Sequence, residues 1–105
     1  MDALEKIEAM EQVLSQSIEQ SNRLWQILET AQEHMPRLED LFAYYGSPEW
    51  REHFELDEQG KIPKHLPRGV LSEDGIYNTI LDYRELAQTM RTLADQIDQA
   101  ISPEE

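Results

Sequence analysis

Apolar side chains recur every three or four positions through most of the first 45 residues. They are Leu4, Ile7, Met10, Leu14, Ile18, Leu24, Trp25, Leu28, Ala31, Met35, Leu38, Phe42 and Tyr45. This spacing is the period of an α-helix, whereas a half-buried strand alternates every two residues. The segment contains no glycine, and Gly46 suits the left-handed conformation that ends many helices. The pattern predicts a first helical arm over residues 1–46.

Pro36 is the weak point of this arm, because proline lacks the backbone N–H group and its ring crowds the preceding turn. The sequence leaves two alternatives open. The helix either kinks near Met35 or breaks and restarts there.

A short helix over residues 47–59 is predicted by the order Ser47-Pro48-Glu49. Serine is a favoured N-cap, proline is tolerated in the first turn, and an acid stabilises the positive end of the helix dipole. Gly60 ends this helix. Residues 60–71 contain two prolines without helical periodicity, which predicts an ordered loop. Its apolar residues, expected to hold it against the helices, are Ile62, Leu66, Val70 and Leu71.

The last predicted helix covers residues 72–101 and begins at Ser72-Glu73-Asp74, a capping residue followed by acids. Its apolar positions follow a heptad: Ile76, Ile80, Tyr83, Ala87, Met90, Ala94, Ile97 and Ile101. Leu86 and Leu93 widen this stripe on one side. Residues 102–105 are expected to form a frayed tail.

These elements predict an all-α single domain. Its architecture is a long antiparallel helical hairpin, with a short helix and an ordered loop inserted between the two long helices. The apolar faces should pack together, so that Ile80→Ala or Leu93→Ala would cost about 2–5 kcal/mol. The first arm is longer than the last helix, and its excess is covered either by the folded-back middle or by a second copy. A homodimer forming a four-helix bundle is the second alternative.

The chain has 105 residues and a net charge of -13. The net charge is -6 for residues 1–46, -1 for residues 47–72 and -6 for residues 73–105. Such an acidic chain repels phosphate backbones and anionic lipids, so we expect no direct nucleic-acid or membrane binding. Without cysteine there is no disulfide framework, and the N-terminal residues do not resemble a secretory signal. We expect a cytoplasmic protein.

No catalytic constellation is visible. The chain lacks cysteine, a Gly-x-Ser-x-Gly elbow and a Walker motif, and Ser47 and Ser72 are assigned as helix caps. Glu49 and His53 lie four residues apart on one helix face. Two side chains are too few ligands for a tight metal site. We expect a protein that is not an enzyme, with no cofactor and no metal.

The central segment combines aromatic and basic residues, a composition typical of protein-binding hot spots. The candidate binding residues are Tyr44, Tyr45, Trp50, Arg51, Arg68 and Asp74. A structural role competes with this interpretation. The rings of Tyr45, Trp50 and Phe54 would close the end of the hairpin, and Arg68 would pair with a nearby acid such as Asp74.

The same segment resembles a bacterial family catalogued as domain of unknown function 4298. The matching stretches are Ala43-Tyr44-Tyr45-Gly46-Ser47, Trp50-Arg51-Glu52, Asp57-Glu58-Gln59-Gly60-Lys61 and Leu66-Pro67-Arg68-Gly69-Val70-Leu71-Ser72-Glu73-Asp74-Gly75-Ile76-Tyr77-Asn78. His53 departs from the pattern, because an acid is expected before the aromatic residue. The resemblance implies a small, mostly helical protein and no particular activity.

Two functions follow as hypotheses. The first is a non-catalytic protein-interaction module that binds its partner through the candidate binding residues of the central segment. The second is an acidic nucleic-acid mimic that occupies the basic groove of a DNA-binding or defence protein. Binding by such a mimic would weaken steeply with salt, whereas an aromatic-anchored contact would persist.

Overall fold

The computed structural model describes residues 2–102 and contains three α-helices. Helix α1 runs from Ala3–Tyr44, α2 from Pro48–Glu58 and α3 from Gly75–Ile101, with a short 3₁₀ turn at Gly69–Leu71. No strand occurs between residues 2 and 102. The all-α class is confirmed, as is the placement of a short helix and a loop between two long helices. The predicted tail lies outside the described residues, except for Ser102.

Pro36 does not interrupt α1, which is a single helical element from Ala3 to Tyr44. The missing N–H group leaves one turn without its backbone bond, and the helix continues on both sides. At the N-terminus, the Asp2 carboxylate accepts a hydrogen bond from the Glu5 backbone N–H at 2.8 Å. An acid in this position satisfies one of the unpaired donors of the first turn.

The chain divides into two compact units, residues 1–39 and residues 40–105. The first unit consists of α1 as far as Glu39. Most large apolar side chains along it are exposed, from 41% at Leu28 to 78% at Leu4, while Leu24 is half-buried and Leu38 is only 5% exposed. The second unit contains the end of α1, the helices α2 and α3, and the connections between them.

The start of α2 follows the predicted capping pattern. Ser47 has extended backbone angles, and its hydroxyl accepts a hydrogen bond from the Trp50 backbone N–H at 3.1 Å. Pro48 is the first helical residue. Gly46 and Gly60, which follow α1 and α2, have φ angles of +75° and +72°. Both helix ends are therefore confirmed, because glycine adopts this left-handed conformation without a Cβ clash.

The second half of the loop and the start of α3 differ from the prediction. Residues 69–71 form a 3₁₀ turn, and α3 begins at Gly75 instead of Ser72. The Ser72 hydroxyl donates to the Gly69 carbonyl at 2.8 Å and accepts from the Gly75 N–H at 2.9 Å. Ser72 therefore accepts a hydrogen bond from the first residue of α3, as expected of a capping serine, and the helix begins three residues after it.

A small core holds the second unit together. Leu71 in the 3₁₀ turn is 6% exposed and Ile76 in the first turn of α3 is 3% exposed. The turn contacts both α2 and α3. Of the loop residues expected to anchor the chain, Ile62 is half-buried, while Leu66 and Val70 are 50% and 42% exposed. The prediction was wrong for those two side chains, because Leu71 anchors this end of the loop.

Candidate functional site

Three aromatic rings form a corner between the end of α1 and α2. The Tyr45 ring meets the Trp50 ring edge to face with centroids 5.4 Å apart, and Trp50 stacks on Phe54 at 5.3 Å. All three side chains are half-buried. The Trp50 indole N–H also donates to the Val70 carbonyl at 2.8 Å, which ties α2 to the 3₁₀ turn. The contacts thus give these rings a structural role.

A second contact joins Tyr44, at the end of α1, to His53 on α2. The Tyr44 hydroxyl oxygen lies 2.8 Å from Nδ1 of His53, and the direction of the hydrogen bond depends on the histidine tautomer. Partial burial, with a further contribution from the Glu49 carboxylate, raises the pKa of the Tyr44 hydroxyl. Tyr44 is therefore neutral at pH 7 and remains a hydrogen-bonding group.

Arg68 pairs with Asp57 and not with Asp74. The distance between the guanidinium Nη1 and the Asp57 Oδ1 is 2.6 Å, and the two side chains are 37% and 25% exposed. Asp74 is exposed and precedes α3 without a side-chain capping bond, while its carbonyl accepts from the Asn78 N–H at 2.8 Å. The expected ion pair of Arg68 with a nearby acid is confirmed, but the acid is Asp57 in the last turn of α2 and not Asp74, because the loop carries Arg68 back to α2.

The predicted binding residues therefore divide into two groups. The structure engages four of them in local contacts: Tyr44, Tyr45, Trp50 and Arg68. Arg51 and Asp74 are exposed. Reasoning from the sequence missed His53, Asp57 and the Val70 carbonyl as the partners of these residues. The signals available were an aromatic and a histidine nine residues apart, and opposite charges eleven residues apart.

The chemistry of this corner is limited. Between residues 2 and 102 there is no group of three or more His, Cys, Asp or Glu side chains arranged to hold a metal ion. No helix in the same range is long and apolar enough to cross a membrane. The corner thus offers hydrogen bonds, one ion pair and packed rings.

The most exposed apolar surface of the second unit lies on α3. We call the heptad positions from Ile80 to Ile101, with their flank Leu86 and Leu93, the α3 seam. On this seam Tyr83 is 38% exposed, Leu93 42%, Leu86 44%, Ile97 46%, Met90 51% and Ile101 76%. The sequence predicts that Leu93, Met90 and Ile97 are covered either within one chain or by a second copy, and in the single chain each of them is about half-exposed. These partly exposed side chains form a continuous apolar stripe along α3.

The fold and the site define a small all-α protein with an aromatic corner and a partly exposed apolar face on α3. The chain belongs to the family described as Domain of unknown function (DUF4298), whose profile matches residues 7–93. This confirms the resemblance found in the central segment. No curated protein and no solved structure gives a significant match.

Proposed function

We propose that this chain is a non-catalytic protein-interaction module that binds a partner helix along the α3 seam. The carrying observation is the exposure of large apolar side chains at heptad spacing, from Tyr83 to Ile101. A helix that lays its apolar face against a facing helix buries residues at this spacing. The seam offers that arrangement over about five turns.

The energetics favour the seam over the aromatic corner. Complete burial of a large apolar side chain contributes about 1.5–3 kcal/mol, so a half-exposed one retains roughly half of that for binding. The six large seam residues would together contribute on the order of 5–9 kcal/mol before the costs of association. The rings of Tyr45, Trp50 and Phe54 are already packed on one another, which leaves less to gain.

The remaining features of the sequence fit this role in the bacterial cytoplasm. The net charge of -13 keeps a chain with exposed apolar residues soluble. The absence of cysteine fits a reducing compartment, where structural disulfides are rare.

Site-specific photo-cross-linking tests the proposal. A benzophenone amino acid at Leu93, on the seam, should cross-link to the partner, and the same group at Thr92, on the opposite side of α3, should not. The cross-linked partner is identified by mass spectrometry, purified and titrated with the wild-type protein. Met90→Asp should weaken that binding by about 100-fold, because it places a charge in an apolar contact. Equal cross-linking at both positions, or unchanged affinity, would contradict the proposal.

The acidic nucleic-acid mimic is the second candidate, and the charge distribution favours it. Helix α1 carries eight acids against three bases, a net charge of -5. A decoy of this kind replaces phosphates in a basic groove, so its affinity should fall steeply between 50 and 300 mM salt. An apolar seam contact would keep its affinity over the same range.

A further inference from the structure

We propose that the partner helix is α3 of a second copy of this chain, packed antiparallel about a two-fold axis between Gln88 and Thr89. The inference rests on the proposed function, because it names the occupant of the same seam. It follows from the order of large and small residues along the seam and from the area that the seam offers, and the lower net charge of α3 favours it over α1.

The seam is self-complementary when two copies run in opposite directions. Ile80 then faces Ile97 of the second copy, Tyr83 faces Ala94, and Ala87 faces Met90. Each layer pairs two medium side chains, or a large side chain with an alanine. Facing pairs of similar total volume fill an apolar interface without voids or overlap.

A parallel pair would bring identical residues together. Ala87 would face Ala87 and leave a void, while Tyr83 would face Tyr83 and overfill its layer. Both faults destabilise an interface. The Tyr83 ring already meets Phe42 edge to face at 6.1 Å within its own chain, so it has little freedom to move aside. The alternation of large and small residues therefore favours the antiparallel arrangement.

The area is sufficient for a weak, reversible dimer. The five large seam side chains from Tyr83 to Ile97, each roughly half-exposed, offer on the order of 300 Å² of apolar surface per protomer. With a polar rim the interface would bury roughly 900 Å² in total, near the lower limit for specific association. We expect a dissociation constant on the order of 10–100 µM.

Charge makes α3 the better of the two long helices for self-association. It carries four acids and two bases, a net charge of -2, against -5 for α1. Arg84 and Arg91 lie along one edge of the seam and would approach each other across the axis. Both this repulsion and the net charge of -13 per chain oppose dimerisation. Added salt should therefore strengthen the dimer, the opposite of its effect on a nucleic-acid mimic.

Sedimentation equilibrium of the full chain between about 1 and 500 µM tests the pairing. The wild type should pass from monomer to dimer in this concentration range. In 500 mM salt the same transition should occur at a lower protein concentration. Met90→Asp should raise the dissociation constant by about 100-fold, while Thr92→Asp adds the same charge on the opposite side and should leave it within about twofold. Met90 is 51% exposed in the single chain, so the variant should fold, and circular dichroism checks its helicity.

Spin-label distances test the direction. The chain has no cysteine, so Gln88→Cys and Asp95→Cys each provide a unique site at the same heptad position. In the antiparallel dimer the two labels are offset along the axis by about 2 Å at position 88 and about 20 Å at position 95. The distance should therefore be longer at 95. Equal distances at both sites would overturn the proposed arrangement.

The outcomes separate this inference from the proposed function. A wild type that stays monomeric to 500 µM, yet cross-links through position 93 to a different protein, overturns the homodimer and retains the interaction module. A monomer that cross-links to nothing at that position contradicts both. A dimer that Met90→Asp leaves intact places the interface away from α3 and overturns the inference.

Discussion

Replacement of Gly75 by alanine should destabilise the protein, although alanine is the better helix former. Gly75 is the first residue of α3. A Cβ atom there would collide with the Gly69 carbonyl oxygen and would lie 2.7 Å from the Ser72 hydroxyl. The serine side chain can rotate, but the carbonyl belongs to the backbone of the 3₁₀ turn. The turn must therefore shift, and with it the buried Leu71.

The magnitude is the difference between two effects. Overpacking of this kind costs about 1–3 kcal/mol. The intrinsic preference of helices for alanine over glycine returns at most about 1 kcal/mol, and less at the first helical residue. We expect a net loss of about 1–2 kcal/mol. With the urea dependence usual for small proteins, this lowers the unfolding midpoint by about 0.5–1 M.

Urea unfolding at one fixed protein concentration, followed by circular dichroism, measures the effect. Gly69→Ala is the matched control, because a Cβ at that position meets nothing within 4 Å, and its midpoint should stay within about 0.3 M of the wild type. Ser72→Ala alone measures the cost of losing the cap. If the carbonyl causes the loss, adding Gly75→Ala to Ser72→Ala should still lower the free energy of unfolding by about 1–2 kcal/mol. A Gly75→Ala protein as stable as the wild type would refute the argument.

Three further outcomes are measurable by the same unfolding assay. Leu71→Ala should cost about 2–5 kcal/mol, since Leu71 is 6% exposed, while Leu93→Ala at 42% exposure should cost less than half as much. Trp50→Phe keeps the ring stacking but removes the N–H donated to the Val70 carbonyl, which should cost about 0.5–1.5 kcal/mol. The raised pKa of Tyr44 stabilises the fold below pH 10, so this contribution should disappear as the pH rises through the folded-state pKa. If the difference in unfolding free energy between Tyr44→Phe and the wild type were the same at pH 8 and pH 11, the last prediction would be contradicted.

The sequence by itself determined the helices and most of their ends. Gly46 and Gly60 end α1 and α2, and Ser47 caps the start of α2, because each effect depends on residues within about four positions along the chain. The heptad of α3 was likewise visible as a pattern. Part of the candidate site followed too, since Tyr44, Tyr45, Trp50 and Arg68 do take part in the central network of contacts.

Only the tertiary structure decided the partners of those residues and the exposure of the helix faces. Arg68 reaches Asp57 eleven residues away, and the Trp50 N–H reaches the Val70 carbonyl twenty residues away. These pairings depend on the path of the loop, which two prolines and a 3₁₀ turn set without a periodic signal. The heptad similarly shows that α3 has an apolar face, but periodicity carries no information about what covers that face. Burial is a property of the folded chain and its neighbours, and the structure leaves Met90 and Ile97 about half-exposed.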